Sequence, residues 1–122
     1  MAAPIERLKQ RSEFLRVAAA RRKWVAPGLI LQAALKPALG ESDTTNFRVG
    51  YTASRKVGGA VQRNRARRRL RAVVADVMPR RAPGDCDYVL IARRETVTRR
   101  FADLVGDLET ALDGLADNGG LR

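Results

Sequence analysis

Histidine is absent from this 122-residue chain, and cysteine occurs once, as Cys86. The first absence removes the commonest general base and the commonest nitrogen ligand for a transition metal. The second excludes an internal disulfide framework and a thiolate metal cage. Aromatic residues make up only 5% of the chain, so each aromatic left at the surface becomes informative. No apolar run approaches the roughly 18–20 residues that a membrane-spanning helix needs. The opening MAAPIERLKQR lacks the apolar block of a secretory signal, and Glu6 and Glu13 argue against a transit peptide. No repeat with a period of about 20–50 residues is visible, and no low-complexity linker divides the chain. These exclusions leave one cytoplasmic domain over residues 1–122, with no membrane partner, and with poor order expected over 1–11 and 116–122.

Acid is also missing where it matters. Six arginines fall between Arg63 and Arg71, and no Asp or Glu lies between Lys56 and Arg71. The formal charge is +11 and uneven: residues 1–81 hold nineteen Lys or Arg against five acids, whereas residues 82–122 hold five against eight. Compact folding has to overcome that self-repulsion, which points to a polyanionic partner. Arginine outnumbers lysine twenty to four. A GC-rich genome explains such a bias, and planar forks that grip phosphate explain it equally without competing.

Periodicity supplies the elements. Ser12 is placed to cap a helix over 13–20, with Leu15 and Ala19 toward the core and Phe14, Val17 and Ala18 on a neighbouring stripe. RRKWVA over 21–26 reads as a short edge strand broken by Pro27-Gly28. Residues 29–36 form a strand with Leu29, Leu31, Ala33 and Leu35 on one face, and GESDTTN turns the chain. Strand 47–54 aligns Phe47, Val49, Tyr51 and Ala53. A helix over 60–78 follows, ended by Pro79, and PRRAPGD reads as a loop. DYVLIA, residues 87–92, is apolar enough to sit centrally in the sheet. A last helix over 99–115 stacks Phe101, Leu104, Val105, Leu108, Leu112 and Leu115. The fold class is α+β, with strand 47–54, helix 60–78 and strand 87–92 forming a βαβ unit.

On a helical wheel, Ala66, Leu70, Val73, Val74 and Val77 gather into one core-facing stripe. Arg65, Arg67, Arg68, Arg69 and Arg71 fill the remaining arc, with Arg63 at its border. A merely solvated face would interleave Glu with Arg at i,i+4. Guanidinium forks match two phosphate oxygens each, and a helix start after Gly58-Gly59 adds backbone donors. Asn64 suits either a ribose hydroxyl or base edge, or the sheet backbone. No helix-turn-helix frame is present, so folded RNA fits better than the DNA major groove.

The run R-K-V-G-x-A-V-x-R-N-R-x-R-R-x-L-R from Arg55 to Arg71 resembles the signature of the bacterial ribonuclease P protein subunit. L-K-x-R-x-E-F from Leu8, R-V-G-Y-T-A-S-R-K from Arg48 and D-Y-V-L-I-A-R from Asp87 follow that family's order and spacing. The resemblance implies an α/β sandwich of about four strands and three helices, with a left-handed βαβ crossover where a right-handed one is the general rule. It implies an enzyme that removes the 5′ leader of precursor tRNA, with catalytic Mg²⁺ held by the RNA subunit. The polypeptide would bind that RNA, take no cofactor or small-molecule substrate of its own, and be inactive alone.

The RNA-contacting positions that the resemblance implies are Arg55, Lys56, Arg63, Asn64, Arg65, Arg67, Arg68 and Arg71, and the leader cleft takes in Phe14, Arg16, Gln32 and Thr52. Phe14 is otherwise a core residue. Relatives often carry further aromatics where this chain has Ala18 and Gln32, and an asparagine where it has Gly59. Asp85 and Asp87 read as solvated loop charges, and the acids of the last helix as facing solvent. Two rival readings share the charge: a ribosomal-type structural RNA-binding protein, and a nuclease that needs no RNA subunit.

Overall fold

The computed structural model describes residues 5–35, 47–81 and 86–117. The GESDTTN turn, the 82–85 part of the loop with Asp85, and the tail from 118 lie outside them. Five strands form one mixed sheet in the order β1-β4-β5-β3-β2: β1 Glu6–Arg7, β2 Lys23–Val25, β3 Leu29–Leu35, β4 Arg48–Thr52 and β5 Cys86–Ala92. β1 and β5 run parallel to β4, while β3 is antiparallel to both β5 and β2. The fifth strand is the short β1, in a segment expected to be irregular. Its pairing with β4 continues through Leu8, whose N–H donates to the Val49 carbonyl at 3.0 Å.

Helices α2 (Ala60–Arg81) and α3 (Phe101–Asp117) pack on one face of the sheet and α1 (Arg11–Ala19) on the other. The main core lies under α2 and α3. Leu29, Leu31, Ala33, Val49, Tyr88 and Leu90 rise from the strands to meet Ala66, Leu70, Val73, Val74 and Val77 of α2. Every residue of the expected α2 stripe is fully buried, and Met78 joins it. β5 sits centrally, and six of its seven residues are buried. α2 continues through Pro79 to Arg81, three residues past its expected end. So near the terminus Pro79 removes one N–H, while Arg80 and Arg81 tie the end to Glu109 and Asp113 of α3 at 3.2 and 2.6 Å.

α1 departs further from expectation. It starts at Arg11, so Ser12 lies inside it, and Glu13 takes over the terminus by accepting from the N–H groups of Lys9 and Gln10 at 2.9 and 3.1 Å. Val17 is fully buried with Leu8, Ala34 and Val89, whereas Leu15 and Ala19 are exposed. A helix of nine residues carries two nearly equal apolar stripes, and docking buries the one with Phe14 and Val17. On α3, Leu104, Leu108, Leu112 and Leu115 are buried as expected but Phe101 is exposed. Asp107 is buried, contrary to a solvent-facing role, and accepts from the Gly28 N–H at 3.0 Å and Arg99 Nε at 2.7 Å.

The largest correction concerns Asp87. It is no loop charge but is fully buried beneath α1. Arg48 grips it with two parallel bonds, Nε to Oδ1 at 2.9 Å and Nη2 to Oδ2 at 2.7 Å. Arg16 of α1 donates to the same carboxylate and, at 2.9 Å, to the Leu35 carbonyl. Arg48 also reaches Glu13 Oε2 at 2.9 Å. A carboxylate withdrawn from water needs paired cations, and two guanidiniums supply them. Asp87→Asn should lower stability by about 3 kcal/mol, the low end for breaking a buried pair because both arginines keep some solvent; an unchanged urea midpoint would contradict it. The two backbone donors, with Arg48 behind them, hold Glu13 below the usual carboxylate value of 4.5. Its contribution is therefore complete above that value and is lost as pH falls through the lowered folded value. Stability should drop more steeply on acidification in the parent than in Glu13→Gln, read from urea midpoints across an acid series.

Candidate nucleic-acid interface

The approach to α2 is a short 3-10 turn, Arg55–Val57, in which Val57 is buried and Arg55 and Lys56 point to solvent. The Ser54 hydroxyl caps it, accepting from the Lys56 N–H at 3.3 Å. Gly58 then takes φ +144°, a conformation that side chains oppose, so the sharp entry depends on this glycine. Gly59 has no such demand; a Cβ there would meet only the Gln62 amide oxygen at 3.3 Å. A larger residue at this position therefore needs only a small adjustment of the Gln62 side chain.

From Arg63 onward the arginines divide into two groups. Some are tied into the fold: Arg63 Nη1 donates to the Gly58 carbonyl at 3.2 Å, Arg65 Nε to Val97 at 3.2 Å, and Arg69 to the carbonyl of Arg99. Arg69, expected to face outward, is partly buried by that bond. Arg55, Lys56, Arg68 and Arg71 are exposed and make no side-chain hydrogen bond or ion pair among the described residues. Asn64 is exposed, and its Oδ1 accepts from Arg67 Nη2 at 2.6 Å. Its partner is thus another side chain of α2 rather than the sheet backbone. Arg7 joins this charged surface unforeseen. With Arg71 it acts on Tyr51, whose hydroxyl burial pushes up to about 12 against the pull of both cations.

The opposite face of the sheet carries the second group of predicted residues. Phe14 sits against Gly50, where an added Cβ would come within 2.5 Å of the ring. The missing side chain at Gly50 is what lets the ring settle. Phe14 is half-buried against Leu8, Val17, Ala34 and Val89, so it belongs in part to the small core and in part to the surface. Strand register aligns Lys23, Gln32, Val89 and Gly50 in one row and Val25, Ile30, Ile91 and Thr52 in the next. Gln32 and Thr52 therefore share the face of Phe14, both half-buried. Arg16 is beside them, but its guanidinium is committed to Asp87 and Leu35.

Arg48, the anchor of that cluster, was missed, although a signal existed. An acid at the start of an otherwise apolar central strand has to be paired with a cation. Among the described residues, no three of the acids and Cys86 come together in a group that could hold a metal ion. No helix among them is long and apolar enough to cross a membrane.

Comparison with known proteins agrees with this geometry. The family model "Ribonuclease P" matches residues 3–116. The ribonuclease P protein component of Paramagnetospirillum magneticum is 58% identical over 113 residues, covering 92% of this chain and 84% of the relative. That of Gluconacetobacter diazotrophicus is 49% identical and covers 92% of each. Among solved structures, the ribonuclease P protein of Staphylococcus aureus superposes with a TM-score of 0.71 at 21% identity, covering 90% of this chain and 94% of that one. The protein from Thermotoga maritima gives 0.69 at 21% identity, covering 86% and 93%. Residue matches over nearly the full length and a shared fold lead to one conclusion: the chain belongs to the ribonuclease P family, as one of its protein components.

Proposed function

We propose that this protein binds the catalytic RNA of ribonuclease P through Arg55, Lys56 and the exposed face of α2, and holds the 5′ leader of precursor tRNA against α1 and the open sheet. The observation that carries this reading is the two-sidedness of the sheet. One side presents Arg68 and Arg71 without side-chain partners among the described residues, and the other presents Phe14, Gln32 and Thr52, all half-buried. A single polypeptide can thereby grip a polyanionic scaffold and a single strand at once.

Arg63, Asn64, Arg65 and Arg67 complete the first surface, their own backbone and side-chain bonds holding them ready for phosphate. Phosphates compete well for such groups, since a guanidinium with one nitrogen committed keeps other donors outward. In the cleft, a half-open Phe14 can stack a base, while Arg16 fixes the helix that carries it. With Ala18 and Gln32 in place of further aromatics, the leader is held more by polar contacts than by stacking.

Bond cleavage is assigned to the RNA and its Mg²⁺. The carboxylates that could otherwise have served are engaged, Asp87 by two arginines and Asp107 by Arg99. The polypeptide's contribution is affinity and positioning, in a cytoplasmic setting with both RNAs.

Reconstitution with the organism's own catalytic RNA tests the reading directly. Adding the protein at low Mg²⁺ should raise cleavage of precursor tRNA, and no effect would refute the processing role. Arg68→Ala should leave the unfolding midpoint unchanged while reducing the salt dependence of RNA binding by about one counterion-release unit. An unaltered slope would remove Arg68 from the phosphate-contacting set. Phe14→Leu keeps the space above Gly50 filled but removes the ring. It should weaken binding of leader-bearing precursor roughly tenfold and leave mature tRNA unaffected; equal losses on both would make Phe14 structural.

A further inference from the structure

Of the six aromatic side chains, Phe101 alone is exposed, with 43% of its surface open. Val97 and Val105, on either side of it in sequence, pack against the main core, and Phe101 does not. It opens α3 directly after residues 93–100, which carry four arginines and one glutamate. From 101 to 117 the sign reverses, with five acids and no base. The segment is therefore a basic island at the edge of an acidic helix.

Its four guanidiniums are not equivalent. Arg93 donates to the Ala26 carbonyl at 2.7 Å, and Arg99 is spent on Asp107. Arg94 and Arg100 are exposed and have no side-chain partner among the described residues. The segment is also rigidly mounted. Buried Thr96 donates to the Gly28 carbonyl at 2.6 Å and accepts from the Arg93 N–H at 2.8 Å. Arg65 and Arg69 of α2 reach across to the carbonyls of Val97 and Arg99. Arg94 lines a groove with Lys56 and with Ile30 and Ile91 of the α1-facing sheet surface, so it lies by the approach to α2, while Arg100 and the exposed ring open α3.

We infer that Phe101, with Arg94 and Arg100, is a stacking site for an unpaired base of the ribonuclease P RNA, an extension that rests on the RNA-binding reading above. A flat apolar face beside uncompensated guanidiniums fits a splayed base with its flanking phosphates. Continuity with α2, whose Arg65 and Arg69 brace this segment, selects the RNA subunit over the leader. Asp103 in the first turn of α3 and Glu95 in the segment repel phosphate, so the backbone path runs by Arg94 and Arg100.

The test titrates the full chain against its cognate RNA subunit across a salt series. Phe101→Leu should raise Kd roughly five- to hundredfold, the range for loss of one stacked base, with the unfolding midpoint unchanged. Arg100→Ala should lower the salt slope by about one. Phe101→Trp should restore affinity, and the added indole emission, relative to the parent with Trp24 alone, should be quenched by RNA. If Phe101→Leu and Arg100→Ala bind like the parent while Arg68→Ala is weakened, the stacking site is wrong and the wider reading survives. If none of the three is weakened, both fail. A loss seen only with leader-bearing precursor would move the ring to the leader and overturn the assignment to the RNA subunit.

Discussion

Everything at the charged surface depends on how α2 is held down. Like charges at i,i+3 and i,i+4 each cost the helix a few tenths of a kcal/mol, and Arg63, Arg65, Arg67, Arg68, Arg69 and Arg71 form several such pairs. Against this, Leu70, Val73, Val74, Val77 and Met78 are fully buried, each contributing about 1.5–3 kcal/mol relative to exposure. The apolar underside wins by a wide margin. The arginines can therefore remain uncompensated by acids and keep their field for a partner.

A second tier of interactions converts that field into a defined shape. Arg63, Arg65 and Arg69 bond to backbone carbonyls of the entry turn and of the segment before α3. Each such bond satisfies a carbonyl without neutralising the cation, because a carbonyl carries only a partial charge. An ion pair with Glu would have given similar rigidity and cancelled the charge. Using carbonyls as the anchors gives a surface that is both ordered and fully positive.

On the other face the logic is reversed, and charge is cancelled locally. Asp87 and Glu13 absorb Arg16 and Arg48, which secures α1 to the sheet end. Gly50 lets Phe14 lie on the strand, and the rest of the sheet face stays open. The uncompensated arginines of α2 and the locally neutralised cluster under α1 thus lie on opposite faces of one sheet.

Much of this was legible in the residues alone. The α2 stripe, the alternation of β3 and β4, the central position of β5 and the outward arginine arc all follow from periodicity, a local property that burial on one side enforces. Tertiary structure decided what depends on contacts across the chain. Local patterning made Asp87 and Asp107 loop or surface acids, whereas their state depends on cations that the fold brings to them. It ranked Phe101 with the core, and only the docking of α3 leaves the ring open. It treated the arginines of α2 as one face, and only the entry turn and the path of the 93–100 segment beside α2 separate those that brace the fold from those left open. Helix and strand follow from spacing along the chain, but the charge state and exposure of a side chain follow from what the fold sets beside it.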